Sequence, residues 1–394
     1  KLKVDSDEII SVGIATANAV EKDAWVRAVS AHIRGLQPQP SQQLANTVQL
    51  LKRGELLWTE QWLSQMRTVF ECAASGTTAL LVAKMLYLAS RTVAVKQTVM
   101  SSSFVAATAR LLADHSSLVS LSAACFALLT IVPDAHLHAS SSACEASLCQ
   151  LLREHKVGSA LVSAVVIEAE NEFPACTLEL LLTCLCNLSF LEPVRESAFG
   201  AEGFFRFLRM CLRPDAPRES LLPAVQLLGN VCLSHDALAS LAEEFDICDV
   251  LVSVATSQAF VTDEAVVLAS LHALSIACRN EFVAERMTEA RLRRLEDAFG
   301  DKQANIIEAL MRVHWSLICG RQSKALADVA SKSAVEKLQK GSPLLDALVF
   351  ERCVSVLATL LQRHPEFAST LQQQRLHLLL QSFLTNSTYI TNHT

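Results

Sequence analysis

Residues 187–197 have the sequence NLSFLEPVRES, in which an apolar run that begins at residue 178 ends in a polar turn. Pro193 and Gly200 mark helix boundaries, because proline favours the first turn of a helix and glycine favours its end. A second apolar segment, FFRFL, follows at residues 204–208. This stretch predicts two helices separated by a short turn, followed closely by a third.

The same pattern recurs along the chain at a nearly constant interval. Aligning the copies on one apolar residue near the end of each first run gives spacings of 41, 59, 43, 45, 41 and 43 residues. The aligned residues, called anchors below, are Leu88, Leu129, Leu188, Val231, Ile276, Leu317 and Leu360. A fixed period of this length predicts an all-α repeat fold, in which each copy buries its apolar stripe against its neighbours.

The interval of 59 residues is longer than the others by about 17 residues. We place the extra residues at about 153–175, where Glu168, Glu170 and Glu172 indicate an exposed segment. The insertion could be an extended helix or a loop, and inserted loops sometimes bind partners.

Residues 187–203 resemble the armadillo repeat in the Asn-Leu-Ser end of a third helix, the polar turn through Pro193 and the glycine-containing turn before the next repeat. Residues 229–234, GNVCLS, resemble it nearly as well, and the looser copies are also HEAT-like. The resemblance implies a right-handed superhelical solenoid of about seven repeats over residues 66–385. A linker and capping helix at 37–65 would precede the array, and a tail at 386–394 would follow it.

In armadillo arrays the residue before the anchor often faces a groove that binds an extended peptide. The residues at that position are Tyr87, Leu128, Asn187, Asn230, Ser275, Ser316 and Thr359. An asparagine amide can both donate to and accept from a peptide backbone. Asn187 and Asn230 are therefore the strongest predicted contacts, followed by Ser275, Ser316 and Tyr87. The alternative is that these side chains cap or bridge neighbouring helices.

Two related kinds of groove are not predicted. Nuclear-import receptors of this class carry a tryptophan four residues before the asparagine, where this chain has Thr183 and Gln226. A groove that recognises basic localisation signals is therefore not expected. Catenin-like grooves are strongly basic, and the predicted groove residues here are not.

The first 36 residues do not follow the repeat. Residues 9–16, IISVGIAT, alternate as a strand does, and a helix with Trp25 on its apolar face follows Asn18. Residues 9–34 resemble the last strand and helix of a pleckstrin-homology domain, whose core tryptophan would be Trp25. The strands that hold lipid headgroups in some members would lie before Lys1. The alternative is a capping helix whose Trp25 packs on the first repeat.

Amino-acid composition argues against a β-sandwich fold, and the charge argues against a nucleic-acid partner. Apolar residues make up 51% of the chain, and only 11 Gly and 10 Pro are present, which favours long helices over a β-sandwich. The net charge is −6, and the largest basic cluster, Arg291, Arg293 and Arg294, has Glu289 and Glu296 beside it. We expect this cluster to be a solvated helix face, so no nucleic-acid partner is predicted.

No chemistry-bearing motif stands out. Nucleotide-binding, kinase and hydrolase signatures are absent, and His136 and His138 beside Asp134 match metal-ligand spacing only weakly. His272 and His314 lie in apolar helical runs and are predicted to be core residues. We expect no catalytic, cofactor or metal site, and no enzymatic activity.

The 13 cysteines form no C-x-x-C pair and lie mostly at apolar positions. They are typical of reduced thiols in a cytoplasmic protein. No signal peptide opens the chain, and no apolar run is long enough to span a bilayer.

The sequence predicts a non-enzymatic scaffold or adaptor that binds protein partners of unknown identity within a larger complex. One alternative is a membrane-recruited regulator, in which a pleckstrin-homology barrel binds lipid and the solenoid binds a small GTPase, motor or cytoskeletal partner. Another is an architectural subunit of a cytoskeletal or ciliary assembly.

Overall fold

The computed structural model describes residues 60–73, 76–89, 98–114, 117–131, 142–170, 175–213, 216–299, 302–320, 324–340 and 347–373. Within these ranges the chain forms 19 complete α-helices and no strand, which confirms the predicted all-α, repeat-like fold. The predicted strand at residues 9–16 and Trp25 lie outside the described residues. The chain divides into two compact units, residues 1–204 and 205–394, which are considered separately below.

The first unit contains eight described helices. They are α1 Glu60–Glu71, α2 Gly76–Ala89, α3 Ser102–Ala113, α4 Leu118–Ile131, α5 Ser142–Glu154, α6 Val157–Glu170, α7 Ala175–Leu188 and α8 Glu192–Phe199. Helix α4 packs against both α2 and α7, and α6 packs against both α3 and α8. Helices at matching places in successive copies are therefore stacked on one another.

The second unit shows the same serial stacking in its described helices. They are α9 Phe204–Cys211, which begins at the boundary, α10 Arg218–Val231, α11 His235–Glu243, α12 Ile247–Ala255, α13 Glu264–Ala277, α14 Glu281–Arg286, α15 Glu289–Phe299, α16 Ala304–Gly320, α17 Lys324–Lys340, α18 Ala347–Arg363 and α19 Phe367–Gln373. Helix α13 packs between α10 and α16, and α16 packs in turn on α18. A second row is formed by α12, α15 and α17.

The seven predicted anchors all lie in the long helices that stack in this way, namely α2, α4, α7, α10, α13, α16 and α18. Leu188, Val231 and Leu360 are completely buried, as the alignment requires. In α4 and α13 the anchors are only half-buried, and the fully buried positions are the adjacent Leu128 and Ala277. The alignment is therefore displaced by one residue in those two helices, because apolar residues surround them and leave no clear stripe.

The long interval between the second and third anchors contains three described helices, as the next interval does. Helices α5 and α6 have 13 and 14 residues, whereas α8 and α9 have 8 each. The proposed insertion at 153–175 falls on the end of α5, on α6 and on residues 171–174, which lie outside the described ranges.

Described cysteines are free thiols, and most are buried among apolar side chains. Burial raises the pKa of Cys186, Cys211 and Cys353 to about 12. These thiols therefore stay protonated near neutral pH and pack as small apolar groups, as their positions in the sequence predict. None of the described helices is both long and apolar enough to cross a membrane.

Asp263 joins two of the stacked helices at their N-terminal ends. Its carboxylate caps α13 by accepting from the backbone N–H of Ala265 at 3.1 Å and of Val266 at 3.3 Å. The same carboxylate pairs with Arg218 of α10. The hydrogen bond from Arg218 is the main reason that the pKa of Asp263 lies below its ordinary value.

Asp263→Ala is expected to lower the free energy of unfolding by about 1 kcal/mol at neutral pH, because the N-cap is lost. Since the pKa of Asp263 is depressed in the folded state, this contribution is present above the ordinary carboxyl pKa and is lost as the pH falls below it. Urea unfolding at neutral and at acid pH measures both effects. Asp297→Ala, at an exposed site in α15, is the control and should change the free energy of unfolding by less than about 0.5 kcal/mol.

Candidate interaction surface

A cluster of polar and aromatic side chains lies on one side of α13, α16 and α18 in the second unit and in the turn that follows α13. We call this cluster the Trp315 surface, and its members are His272, Arg279, Arg312, Trp315, Arg352 and Thr359. Side chains three, four or seven residues apart share one face of a helix. Arg312 and Trp315 on α16, and Arg352 and Thr359 on α18, have such spacings. His272 lies on α13 and Arg279 in the turn two residues after α13 ends, and the packing of the three helices brings these side chains together.

Trp315 lies at the centre of this surface and is only partly buried. Its indole N–H donates to the hydroxyl oxygen of Thr359 on α18 at 3.1 Å. The guanidinium carbons of Arg279 and Arg352 lie 5.5 and 6.0 Å from its ring centroid. Both distances are within the range of a cation–π interaction. The tryptophan is thus held at one edge, and it has one cation from α18 and one from the turn after α13 beside its ring.

Glu308 lies under the cluster, where its side chain is only 10% exposed. Its carboxylate accepts from Nε of Arg312 at 2.7 Å and from Nε of Arg352 at 3.1 Å, which links α16 to α18. One carboxylate balances one of these two cations. Among the described residues no carboxylate pairs with Arg279, so the surface carries an excess of two positive charges.

His272 is exposed on α13, so the prediction that it is a core residue is wrong. Leu271 and Ala273 on either side of it are completely buried, and the apolar run gave no sign of where the exposed stripe lies. Partial burial and then the positive charges of Arg312 and Arg279 lower the pKa of His272, so its imidazole is neutral near neutral pH.

His314 confirms the corresponding prediction, since its side chain is completely buried. Its Nε2 shares a hydrogen bond with the carboxylate of Glu296 on α15. The two histidines lie in similar sequence surroundings, but only one of them is in the core.

The basic cluster that stands out in the sequence is largely neutralised in the structure. Arg291 pairs with Asp246 at 2.7 Å and with Asp249 at 3.2 Å, and Arg293 pairs with Glu289 at 2.6 Å. The arginines of the Trp315 surface are instead far apart in the sequence. The predicted groove residues include no basic side chain, so these three arginines form a local positive surface that the groove prediction did not contain.

Three of the predicted groove residues in the second unit lie inside the helical packing. Asn230 is 8% exposed, Ser275 is 3% exposed and Ser316 is completely buried. The hydroxyl of Ser275 donates to the backbone carbonyl of His272 at 2.8 Å. These three residues are buried in this structure, and the exposed positions of α13 and α16 are neighbouring ones.

Of the residues at the predicted groove position in the first unit, Asn187 and Tyr87 are exposed, whereas Leu128 is completely buried. Asn187 lies on the surface of α7, and Tyr87 of α2 is 39% exposed. The ring of Tyr87 packs against Phe126 of α4 at a centroid distance of 5.6 Å, and Nζ of Lys84 lies 5.3 Å from the same phenyl ring. Asn187 and Tyr87 therefore stay predicted contacts.

Trp315 was missed by the sequence analysis for a reason that can be traced. It lies five residues before the end of α16, as Thr183, Gln226 and His272 do in α7, α10 and α13. Thr183 and Gln226 lie five residues before their anchors, but Leu317 lies three residues before the end of α16, so the same offset falls on Arg312 and not on Trp315. Counting 43 residues from His272 to Trp315 would have found it.

Searches for relatives identify no family for this chain. No protein-family model matches it, and no curated protein matches it in sequence. A crystal structure of an engineered protein aligns with 90% of this chain and 93% of its own length, at 16% identity and a TM-score of 0.46. Within the described residues, no group of three or more His, Cys, Asp or Glu side chains could hold a metal ion.

Proposed function

We propose that this chain is a non-enzymatic scaffold or adaptor that binds a protein partner across the Trp315 surface. The observation that carries the proposal is the partly exposed Trp315, which donates a hydrogen bond to Thr359 and has Arg279 and Arg352 beside its ring. Tryptophan and arginine are the residues most enriched among those that dominate binding energy at protein interfaces. A tryptophan that is already ordered loses little freedom when a partner binds.

The stacked helices support the same proposal. Neighbouring helices pack about 8–10 Å apart, so side chains on successive helices form a regular row that suits an extended partner segment. The proposal includes the finer description of the fold as an armadillo- or HEAT-like solenoid. It also includes a cytoplasmic location, which the many reduced thiols favour.

Trp315→Ala is expected to weaken partner binding by about 30-fold, the effect of losing about 2 kcal/mol at an interface hot spot. Tagged wild-type chain, Trp315→Ala and Arg294→Ala would each be used to capture proteins from cell extract, with quantification by mass spectrometry. Arg294 is exposed on α15, outside the Trp315 surface, which makes it the control. Thermal unfolding of each variant, with Trp315→Phe as a milder change, would separate lost binding from lost folding.

The expected result is a set of proteins that wild type and Arg294→Ala retain and that Trp315→Ala loses. Identical captured sets for all three chains would contradict a role for this surface. If none of the chains captured a specific protein, the scaffold proposal itself would fail.

A further inference from the structure

We infer that the Trp315 surface binds an acidic, extended segment of a protein, with carboxylates placed against Arg279 and Arg352. The inference rests on the proposed function and adds the chemistry of the partner. It follows from charge, from geometry and from the donors that remain on the arginines.

The first step is the charge of the surface. Arg279, Arg312 and Arg352 contribute three cations, and Glu308 contributes the one carboxylate that pairs with any of them among the described residues. The positive charges of Arg279 and Arg312 also help to depress the pKa of His272, after the effect of burial. A partner with negative charge is therefore favoured here, and a basic one is repelled.

The second step concerns the N–H groups of the arginines that are still available as hydrogen-bond donors. Glu308 accepts from Nε of Arg312 and Nε of Arg352, and no described residue accepts from their terminal amino groups. Arg279 is exposed in the turn that follows α13. A guanidinium donates in a planar fork that matches a carboxylate. Contact with the Trp315 ring orients two of these forks before any partner arrives.

The third step is spacing. The guanidiniums of Arg279 and Arg352 each lie within 6.0 Å of the Trp315 ring centroid, so they are less than roughly 12 Å apart. In an extended chain, side chains at positions i and i+2 point the same way and are about 7 Å apart. Two acidic residues with this spacing could therefore each face one arginine while the chain crosses from α13 to α18.

The fourth step is the choice between an acidic protein segment and a nucleic acid as the partner. A nucleic-acid surface neutralises many phosphates and leaves a broad basic face. The whole chain has a net charge of −6, and the other basic cluster is paired with Asp246, Asp249 and Glu289. Three arginines on an acidic protein suit a short acidic segment better than a polyanion.

The test uses fluorescein-labelled dodecapeptides of alternating Glu and Gly, with the Gln–Gly and Lys–Gly peptides and a single-stranded RNA of matched length as comparison probes. Fluorescence anisotropy with the whole chain should show the Glu–Gly peptide binding at least about tenfold more tightly than each of the other three. Arg279→Ala should weaken that binding about tenfold, and Arg279→Glu should abolish it.

Arg294→Ala removes the same charge outside the surface and should leave binding unchanged. Arg279→Lys keeps the charge but loses the planar fork, and it should fall between wild type and Arg279→Ala. Arg279 is exposed in the turn after α13, and thermal unfolding would confirm that each variant folds.

The inference is overturned if the Gln–Gly peptide or the RNA binds as tightly as the Glu–Gly peptide. It is also overturned if no acidic peptide binds, or if Arg294→Ala weakens binding as much as Arg279→Ala. Such results, together with captured proteins that still depend on Trp315, would leave the scaffold proposal standing and exclude only the acidic partner.

Discussion

Replacing Glu296 with alanine is expected to lower the free energy of unfolding by about 3–5 kcal/mol. The carboxylate of Glu296 on α15 accepts from the imidazole of His314 on α16 and from the hydroxyl of Ser333 on α17 at 2.6 Å. Nζ of Lys337 lies 3.7 Å from the same carboxylate. One side chain therefore connects three helices of the second unit.

The expected effect is large because the partners are buried. The side chain of His314 is completely buried and that of Lys337 is 7% exposed, so removing Glu296 leaves an ammonium without a counter-charge in the packing. Glu289→Ala, on the same helix, is the matched control. Glu289 is exposed and pairs with Arg293, and its loss should cost less than about 0.5 kcal/mol. Urea unfolding at neutral pH that gave equal losses for the two variants would refute this account.

The difference in stability between wild type and Glu296→Ala depends on pH in a direction that the pKa of Glu296 determines. Burial alone would raise the pKa of Glu296. The hydrogen bond and the charge of His314, the hydrogen bond from Ser333 and the charge of Lys337 together outweigh burial and lower that pKa. The stabilisation is therefore present above the ordinary carboxyl pKa and disappears as the pH falls through the folded-state value. The difference in stability between wild type and Glu296→Ala should shrink in acid.

Gly158→Ala is expected to destabilise the first unit by about 3 kcal/mol. A Cβ atom at Gly158 of α6 would collide with the carbonyl oxygen of Val194 and the hydroxyl of Ser197 on α8, and would lie 2.9 Å from the backbone nitrogen of Ala198. Backbone atoms cannot rotate away, so the two helices would have to separate. This loss exceeds the gain of up to about 1 kcal/mol that alanine brings to a helix.

Gly200→Ala is the control for this substitution, since Gly200 ends α8 a short distance from the same contact. A Cβ there would meet only the carbonyl oxygen of Glu196, at 3.4 Å, and the backbone φ of −75° is open to any residue. Its free energy of unfolding should stay within about 0.5 kcal/mol of wild type. Thermal and urea unfolding of both variants would show whether the close approach of α6 and α8 is needed.

The repeated arrangement of helices was predictable because each repeat must bury apolar residues against its neighbours, which keeps apolar residues at a regular interval in the sequence. Leu188, Val231 and Leu360 were aligned as apolar residues near the end of each first run, and each is completely buried. Spacing does not give the rotation of a helix about its axis when apolar residues surround it. That is why His272 was assigned to the core while Ser275, three residues later on the same helix, was assigned to a groove.

The Trp315 surface could not be predicted for a different reason. Arg279 follows the end of α13, Trp315 lies on α16 and Arg352 lies on α18. They are 36 and 37 residues apart in the sequence, and only the stacking of the helices makes them neighbours. A cluster of charges that is local in sequence, such as Arg291 with Arg293, is easy to see, but its partners on other elements decide whether it is neutralised.

The central claim, that a protein partner contacts the Trp315 surface, is tested most directly by photo-crosslinking. Benzoylphenylalanine would replace Ala358, which is exposed on α18 beside Thr359, or Ala290, which is exposed on α15. The account predicts a covalent partner adduct from position 358, none from position 290, and loss of the adduct when Trp315→Ala is added. Adducts of equal yield from both positions, or an adduct at 358 that persists without Trp315, would contradict it.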